Sequence, residues 1–138
     1  MIPKIIHYCW LGDSEFPELV KKCIQSWKKK MPDWEFILWD KNCLKDLNSD
    51  WVNEAYSTKK YAFAADYIRL YAVNKFGGFY LDSDVEVLKN FAPLLDSPYI
   101  FALENEIGDI EAATFGSEPN NPYVQKCLSY YEGRHFIK

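Results

Sequence analysis

The sequence predicts an α/β fold with a mostly parallel central sheet flanked by helices. Three consecutive segments indicate it: an apolar run at residues 2–11, an amphipathic segment at 17–30 and a second apolar run at 34–39. Strand, helix and strand in this order are typical of a right-handed βαβ unit, whose two strands run parallel. The 138 residues are enough for one core, and we expect residues 1–138 to form a single domain.

The first three elements have clear local signals. Residues 2–11 are nearly all apolar, as in a strand that is buried on both faces. Pro17 suits the first turn of a helix, and apolar residues then recur at helical spacing through residue 30. Three lysines end that helix, where cations suit the helix dipole, and we prefer this interpretation to a binding patch.

The later elements are predicted with more varied signals. Residues 40–57 are polar and mixed, which indicates a loop with one or two helical turns. The clearest helix is 61–76, capped by Gly77. The remaining expected elements are strands at 79–81, 85–88, 99–103 and 112–115, a helical turn at 93–95 and a last helix from Asn121-Pro122 to about Tyr131.

Composition excludes several classes of protein. The net charge of −4 leaves no basic footprint for nucleic acid. The four cysteines form no CxxC pair, so we expect free thiols in a reducing compartment. No window approaches the roughly 20 apolar residues of a membrane span, and the N-terminal apolar run is too short for a signal peptide. We therefore expect a cytoplasmic protein without a transmembrane segment.

A charged pair on the 61–76 helix has two interpretations. Asp66 and Arg69 are three residues apart, so they share a helix face with small apolar residues. Burying them would be costly unless each has a partner. The pair is either a salt bridge within the core or a polar lining of a ligand cleft, and the helix alone does not decide between these.

Two carboxylates follow the Gly77-Gly78 turn and a short apolar strand. Asp82 and Asp84 are two positions apart, so an extended chain would point both to one face. Like charges this close repel unless a cation joins them. Mg²⁺ or Mn²⁺ binds one or two carboxylates and completes its shell with water and phosphate oxygens. The motif therefore predicts a metal site that can hold a diphosphate.

Other chemistries that use paired carboxylates fit the sequence poorly. A calcium-binding EF-hand loop starting at Asp82 would need Gly and Glu where Val87 and Pro93 stand. Glu86 disfavours an aspartyl phosphatase, in which we expect Thr or Val at that position. A glycosidase needs its carboxylates facing each other across a cleft, and neighbours at one strand end are poorly placed for that.

Four stretches together resemble a known family. They are 2–10, 26–39, 61–69 and 77–84, and they occur in the family's order. The chain resembles the glycosyltransferases with a DxD sugar-binding region, which include initiating α-1,6-mannosyltransferases, capsular polysaccharide sugar transferases and, more distantly, the clostridial glucosylating toxins. The resemblance implies a GT-A fold and Mn²⁺ or Mg²⁺. It also implies retaining transfer from a UDP- or GDP-sugar donor to a saccharide or lipid-linked acceptor, met at the cytoplasmic face of the inner membrane.

The resemblance also implies roles for individual residues. Asp82 and Asp84 are the candidate catalytic residues and metal ligands. Asp84 would be the main ligand, and Asp82 would contact the donor ribose and sugar, directly or through the metal. Asp66 and Arg69 would bind hydroxyl groups of the donor sugar.

Three aromatic or imidazole side chains have weaker assignments. Trp10 would stack on the nucleotide base, although without the resemblance it reads as a core residue. Tyr80 would lie near the nucleotide or simply pack. We expect His7 to be a hydrogen-bonded core residue rather than a base, and Gly77-Gly78 to serve the backbone bend.

The C-terminal part departs from the family pattern. Ala112 and Ala113 stand where the family often has a donor-contacting Asn. Residues 104–106 could face an acceptor or form a solvated loop. Because whole domains of this fold are longer, we expect the fold to be truncated at its C-terminal side. The alternative function is a non-catalytic nucleotide-sugar-binding module that acts with a partner.

Overall fold

A computed structural model describes residues 1–103 and 110–136. Its centre is one five-stranded sheet in the order β2-β1-β3-β5-β4. The strands are β1 (Ile5–Cys9), β2 (Glu35–Trp39), β3 (Gly78–Leu81), β4 (Tyr99–Leu103) and β5 (Ile110–Ser117). β1 pairs in parallel with β2 and β3, whereas β5 pairs antiparallel with β3 and β4. The sheet is thus mixed, and the expected mostly parallel pairing holds for β1, β2 and β3.

Helices cover both faces of this sheet. They are α1 (Glu18–Lys30), α2 (Leu44–Leu47), α3 (Asp50–Ser57), α4 (Tyr61–Phe76) and α5 (Pro122–Ser129), with 3₁₀ turns at Lys41–Cys43 and Ala92–Leu94. On one face, Ile24 and Trp27 of α1 pack with Ile6 and Phe79 of the sheet. On the other face α3 and α4 pack together through residues such as Val52, Ala55, Ala64 and Ile68. Within the described residues, no helix is both long and apolar enough to span a bilayer.

The βαβ prediction at residues 2–39 is confirmed, although the first strand is shorter than its apolar run. Two other predictions are wrong. Residues 40–57 are mostly helical, because Ser49 caps α3 by accepting a hydrogen bond from the Val52 N–H. Residues 85–88 form no strand. The Val85 N–H instead donates to the Asp82 carbonyl over 3.0 Å and closes a turn.

The turn between α4 and β3 requires glycine. Gly77 and Gly78 have φ values of +71° and +103°, which side chains rarely adopt. A Cβ on Gly78 would lie 2.6 Å from the Ile5 carbonyl oxygen. The turn therefore lets β3 lie close beside β1, as expected for Gly77-Gly78, and fixes where β3 begins.

Candidate active site

The carboxyl ends of β1 and β3 meet at one edge of the sheet, because these strands run parallel. Ligands of open α/β sheets bind at such an edge. Along β3 successive side chains alternate, so Phe79 and Leu81 face α1 whereas Tyr80 faces α4. Asp82 follows β3 and lies near Arg69 of α4. The fold therefore brings Asp66, Arg69, Tyr80 and Asp82 together.

Arg69 is the centre of this cluster. Its Nη2 lies 3.4 Å from Asp66 Oδ1 and 3.6 Å from Asp82 Oδ1. Its Nε donates to the Ala65 carbonyl over 3.2 Å, and its guanidinium carbon lies 4.8 Å from the centre of the Tyr80 ring. The Arg69 side chain is only 11% exposed, so partners on several sides hold the guanidinium in one orientation.

The two carboxylates of the cluster face the solvent more than the guanidinium does. The side chain of Asp66 is 41% exposed and that of Asp82 is 34% exposed. Partial burial raises the pKa of Asp66, and the Asp82 charge adds to this rise while Arg69 opposes it. The cluster thus presents negatively charged oxygens outward over a fixed cation, which suits recognition of hydroxyl groups or of a metal ion.

Tyr80 packs against the buried side of the cluster, where its ring contacts the Arg69 guanidinium. The residue is 2% exposed, and burial raises the pKa of its phenol well above the ordinary value. The nearby Asp82 carboxylate acts in the same direction, which keeps the hydroxyl protonated. Tyr80 therefore positions Asp82 and Arg69, and its contact with a nucleotide stays a prediction.

The loop that carries both aspartates is a turn rather than an extended chain. Asp82 N–H donates to the Ala113 carbonyl of β5 over 2.9 Å, and the turn from Asp82 to Val85 follows. Asp84 lies within this turn and is exposed. The expected extended chain between Asp82 and Asp84 is therefore wrong, because the backbone turns there, and binding of one cation by both carboxylates stays a prediction.

Side chains of α1 hold the far side of this loop. The indole N–H of Trp27 donates to the Val85 carbonyl over 2.7 Å. The Val87 N–H donates to Ser26 Oγ over 2.9 Å. Asp84 thus lies between a point fixed by β5 and a point fixed by α1, and both restrict its movement.

The donor set of this loop fits a hard divalent cation. Asp82 and Asp84 supply carboxylate oxygens, and Mg²⁺ or Mn²⁺ needs one or two of these beside water and phosphate. Within residues 1–103 and 110–136, no group of three or more His, Cys, Asp or Glu side chains forms a closed cage. Two carboxylates alone would leave the other positions of such a cation to water and phosphate oxygens.

Trp10 lies just after β1 at the same sheet edge and is partly buried. Its indole N–H donates to the Ser14 carbonyl over 3.1 Å, and its ring contacts Phe16 edge-on at 5.4 Å. It also packs against the core cluster below α1. Trp10 therefore has a structural role, and stacking of its ring on a base stays a prediction.

His7 is a core residue, as the sequence indicates. It is 0% exposed, its Nδ1 accepts from the Trp39 indole over 3.1 Å, and its Nε2 lies 2.9 Å from the Gly77 carbonyl. Since Nδ1 accepts, Nε2 carries the proton and donates. Burial lowers the pKa of His7 to about 4, so the ring is neutral.

Tyr131 is a neighbour of the site that the sequence analysis missed. Its ring meets the rings of Trp51 and Tyr67 edge-on, with distances between ring centres of 5.0 Å and 5.9 Å. Burial raises the pKa of Tyr131, and the nearby Asp66 charge adds to the rise while Arg69 lowers it. No local signal marks this residue, because the contacts join the end of the chain to α3 and α4.

The segment after α5 is fastened to α3. Glu54 accepts from the Phe136 N–H over 3.1 Å, and its carboxylate lies 3.0 Å from His135 Nδ1. The Phe136 ring contacts Trp51 at 5.2 Å. These contacts hold Tyr131 beside α4. Residues 104–106, considered above as acceptor contacts, lie outside the described residues.

Residues 17–101 match the family described as the glycosyltransferase sugar-binding region containing the DXD motif. The chain belongs to this family. The match includes Asp66, Arg69, Tyr80 and both aspartates of the loop. It confirms the resemblance that the four sequence stretches indicate.

Several relatives carry names that state an activity. The chain is 27% identical to inositol phosphoceramide mannosyltransferase 1 of Schizosaccharomyces pombe, over 99% of this chain and 46% of the relative. It is 29% identical to a mannosyl phosphorylinositol ceramide synthase of Saccharomyces cerevisiae, over 99% of this chain and 37% of the relative. It is 31% identical to inositol phosphoceramide mannosyltransferase 2 of S. pombe, over 96% of this chain and 39% of the relative. The chain thus spans less than half of these relatives.

A solved structure, the PaToxG glycosyltransferase, has the same fold. The TM-score is 0.70 at 22% sequence identity, with coverage of 93% of this chain and 58% of that one. The likeness confirms the GT-A-like fold that the resemblance implies.

Proposed function

We propose that this chain forms the donor-binding part of a metal-dependent, retaining glycosyltransferase. The single observation that carries the proposal is the Asp66–Arg69–Asp82 cluster, whose carboxylates face outward at the sheet edge beside the Asp84 turn. The family match supports the assignment to a transferase. Metal dependence and retention rest on the family resemblance and on the donor set of the loop.

Mannose is the sugar that the relatives favour. Their names describe mannosyl transfer to inositol phosphoceramide. We therefore propose a nucleoside-diphosphate mannose as donor and an inositol-containing glycolipid as acceptor.

The four cysteines are free thiols, and Cys127 is exposed. This supports the proposal that the chain works in a reducing compartment such as the cytoplasm.

The protein's own residues would divide the work of binding. Arg69, held by Asp66, Asp82 and the Ala65 carbonyl, would donate hydrogen bonds to sugar hydroxyls. Asp66 would accept hydrogen bonds from the same hydroxyls. Tyr80 would keep Asp82 in place, and the attachment of the loop to Ser26 and Trp27 would keep Asp84 in place.

Asp84 and Asp82 would hold the cation. When bound, such a cation neutralises the diphosphate and stabilises it as a leaving group. Positioning of the sugar against a fixed guanidinium supplies the orientation that transfer needs.

Calorimetric titration tests this proposal directly. GDP-mannose and UDP-glucose are titrated with and without Mn²⁺ into the wild type, Asp84→Asn and Glu86→Gln. Glu86 is an exposed carboxylate in the same loop, so it controls for the lost charge. We expect Mn²⁺-dependent binding that Asp84→Asn weakens at least 100-fold, while Glu86→Gln retains it. Equal binding by the two variants, or binding that needs no metal, would reject the donor site.

A second assay separates the enzyme from a binding module. Release of free mannose or transfer to an inositol-containing glycolipid is measured on the same samples. Turnover that disappears in Asp84→Asn supports the transferase. Metal-dependent binding without any turnover would favour the alternative, a nucleotide-sugar-binding module that acts with a partner.

A further inference from the structure

One side of α1 carries a group of exposed lysines beside the aspartate loop. The hydrogen bonds from Trp27 to Val85 and from Val87 to Ser26 lay the loop along α1. Lys22 lies one helical turn before Ser26, and Lys29 and Lys30 lie one turn after it. These lysines therefore border the loop that carries Asp84.

Exposed leucines lie among these lysines. Leu88 directly follows the loop's attachment to Ser26 and is 72% exposed, whereas the preceding Val87 is buried. Leu19, one turn before Lys22, is 61% exposed. Leu88 also lines a surface groove of about 500 Å³, which is formed by residues 86–91, 93 and 94. We define the α1–loop surface by six of the exposed residues of α1 and this loop: Leu19, Lys22, Lys29, Lys30, Leu88 and Lys89.

The helix dipole accounts for only part of this arrangement. It favours lysines in the last turn of α1, where Lys28, Lys29 and Lys30 lie. It does not account for Lys22 in the first half of the helix, nor for Lys89 and the exposed Leu88 on a different segment. The only acidic residue in the first turn, Glu18, pairs with Lys21 at 3.6 Å.

We propose that the α1–loop surface docks on an anionic lipid membrane. Lysines attract anionic headgroups, and leucines exposed between them can enter the headgroup region while the lysine ammonium groups stay in water. The chain as a whole is negatively charged at −4, so attraction to polyanions depends on this local surface.

Docking in this orientation would suit a lipid-borne acceptor. The surface is continuous with the turn that carries Asp84, through Val85 and Val87. A membrane against α1 would therefore lie beside the turn that carries Asp84, on the face of the sheet opposite α4. The lipid acceptor rests on the proposed function, whereas the docking surface does not.

Vesicle flotation of the full chain, without any donor, tests the inference. The vesicles contain phosphatidylcholine alone or with phosphatidylserine. We expect binding only to the anionic vesicles, and weaker binding at high salt. The double variant Lys22→Gln/Lys29→Gln should bind roughly 25-fold more weakly, because each lysine near such a surface contributes about fivefold. Leu88→Gln should lose roughly tenfold through reduced burial of the side chain.

Lys21→Gln/Lys28→Gln is the matched control. Both lysines lie on α1 and are exposed, but the helical spacing places them on the side away from Ser26. The control has the same net charge as the test variant and should bind like the wild type. The proposal would be overturned if both double variants lost vesicle binding equally, or if the wild type did not bind anionic vesicles. Binding of heparin as tight as the binding of anionic vesicles would also overturn it.

Donor titration in solution keeps this test separate from the proposed function. Lys22→Gln/Lys29→Gln should bind GDP-mannose with Mn²⁺ as tightly as the wild type does. Vesicle binding that fails while donor binding persists rejects the docking surface alone. Donor binding that fails while vesicle binding persists rejects the donor site alone.

Discussion

Two polar clusters lie beside the same pair of strands, and they differ in how they meet the solvent. The His7 cluster is closed: the imidazole is 0% exposed and both ring nitrogens have protein partners, Trp39 and the Gly77 carbonyl. The Arg69 cluster is open on one side, because its guanidinium is 11% exposed while its two carboxylates are 41% and 34% exposed. The first therefore ties elements together, and the second presents charge to a ligand.

This difference separates a polar group that serves the fold from one that is available for binding. A buried neutral histidine with both nitrogens bonded stabilises a single arrangement of β1, β2 and the α4–β3 turn. A half-exposed carboxylate contributes less to stability, because solvent screens it. Substitutions should therefore affect unfolding in the first cluster and donor binding in the second.

The largest expected effect is on the turn that supplies the His7 partner. Gly78→Ala should lower the free energy of unfolding by about 3 to 5 kcal/mol, because its Cβ would meet the Ile5 carbonyl oxygen at 2.6 Å with φ at +103°. Gly133→Ala is the control, since a Cβ there meets nothing within 4 Å, and should cost about 1 kcal/mol. Urea unfolding measures both, and equal losses would contradict the tight approach of β3 to β1.

The next effect is a pH dependence of stability that belongs to His7. Its folded pKa of about 4 lies below the unfolded value of 6.5, so the unfolded state binds more protons between these values. His7 therefore contributes stability that is full above pH 6.5 and is lost as the pH falls toward 4, in total about 3 kcal/mol. The His7→Gln variant should therefore not lose this part of its free energy of unfolding as the pH falls. Urea unfolding at several pH values measures it, with the exposed His135→Gln as control.

Retention of the full acid dependence in His7→Gln would show that other groups cause it. The closed nature of the His7 cluster would then lose its main energetic consequence.

Arg69→Lys should have a smaller effect on stability and a clear effect on binding. The charge is retained, but lysine cannot hold Asp66, Asp82 and the Ala65 carbonyl at once. We expect Mn²⁺-dependent GDP-mannose affinity to fall roughly 10- to 100-fold, while the free energy of unfolding changes by about 1 kcal/mol. A variant that unfolds much more easily yet binds normally would place Arg69 with the His7 cluster.

The smallest effect should come from Tyr80→Phe. The substitution removes the hydroxyl near the Asp82 carboxylate and keeps the ring against Arg69. We expect a loss of about 1 kcal/mol in stability and roughly threefold in donor affinity. Calorimetry and urea unfolding measure these changes. No change in either property would show that the hydroxyl does not position Asp82.

Local sequence patterns predicted the elements that depend on local interactions. The apolar run of β1, the amphipathic stripe of α1 and the Gly77 cap of α4 are such cases. The turn at Asp82–Val85 could not be predicted in this way, because hydrogen bonds from distant Ser26 and Trp27 hold the following residues. The helices within 40–57 likewise owe their burial to contact with α4.

The candidate site follows the same division. Asp66 and Arg69 share a helix face, so their pairing could be predicted from spacing. The approach of Asp82 to Arg69 joins β3 to α4, and the family resemblance rather than the spacing indicated it. Tyr131 approaches Asp66 from the end of the chain, and neither pattern nor resemblance marked it.

The most direct test of the difference between the two clusters is Asp66→Asn, measured for both unfolding and donor binding. The substitution keeps the shape of the side chain and removes the charge beside Arg69. We predict that the free energy of unfolding changes by less than about 1 kcal/mol, while Mn²⁺-dependent GDP-mannose affinity falls at least tenfold. A protein that loses several kcal/mol of stability and still binds the donor normally would show that this cluster serves the fold, and would contradict the account.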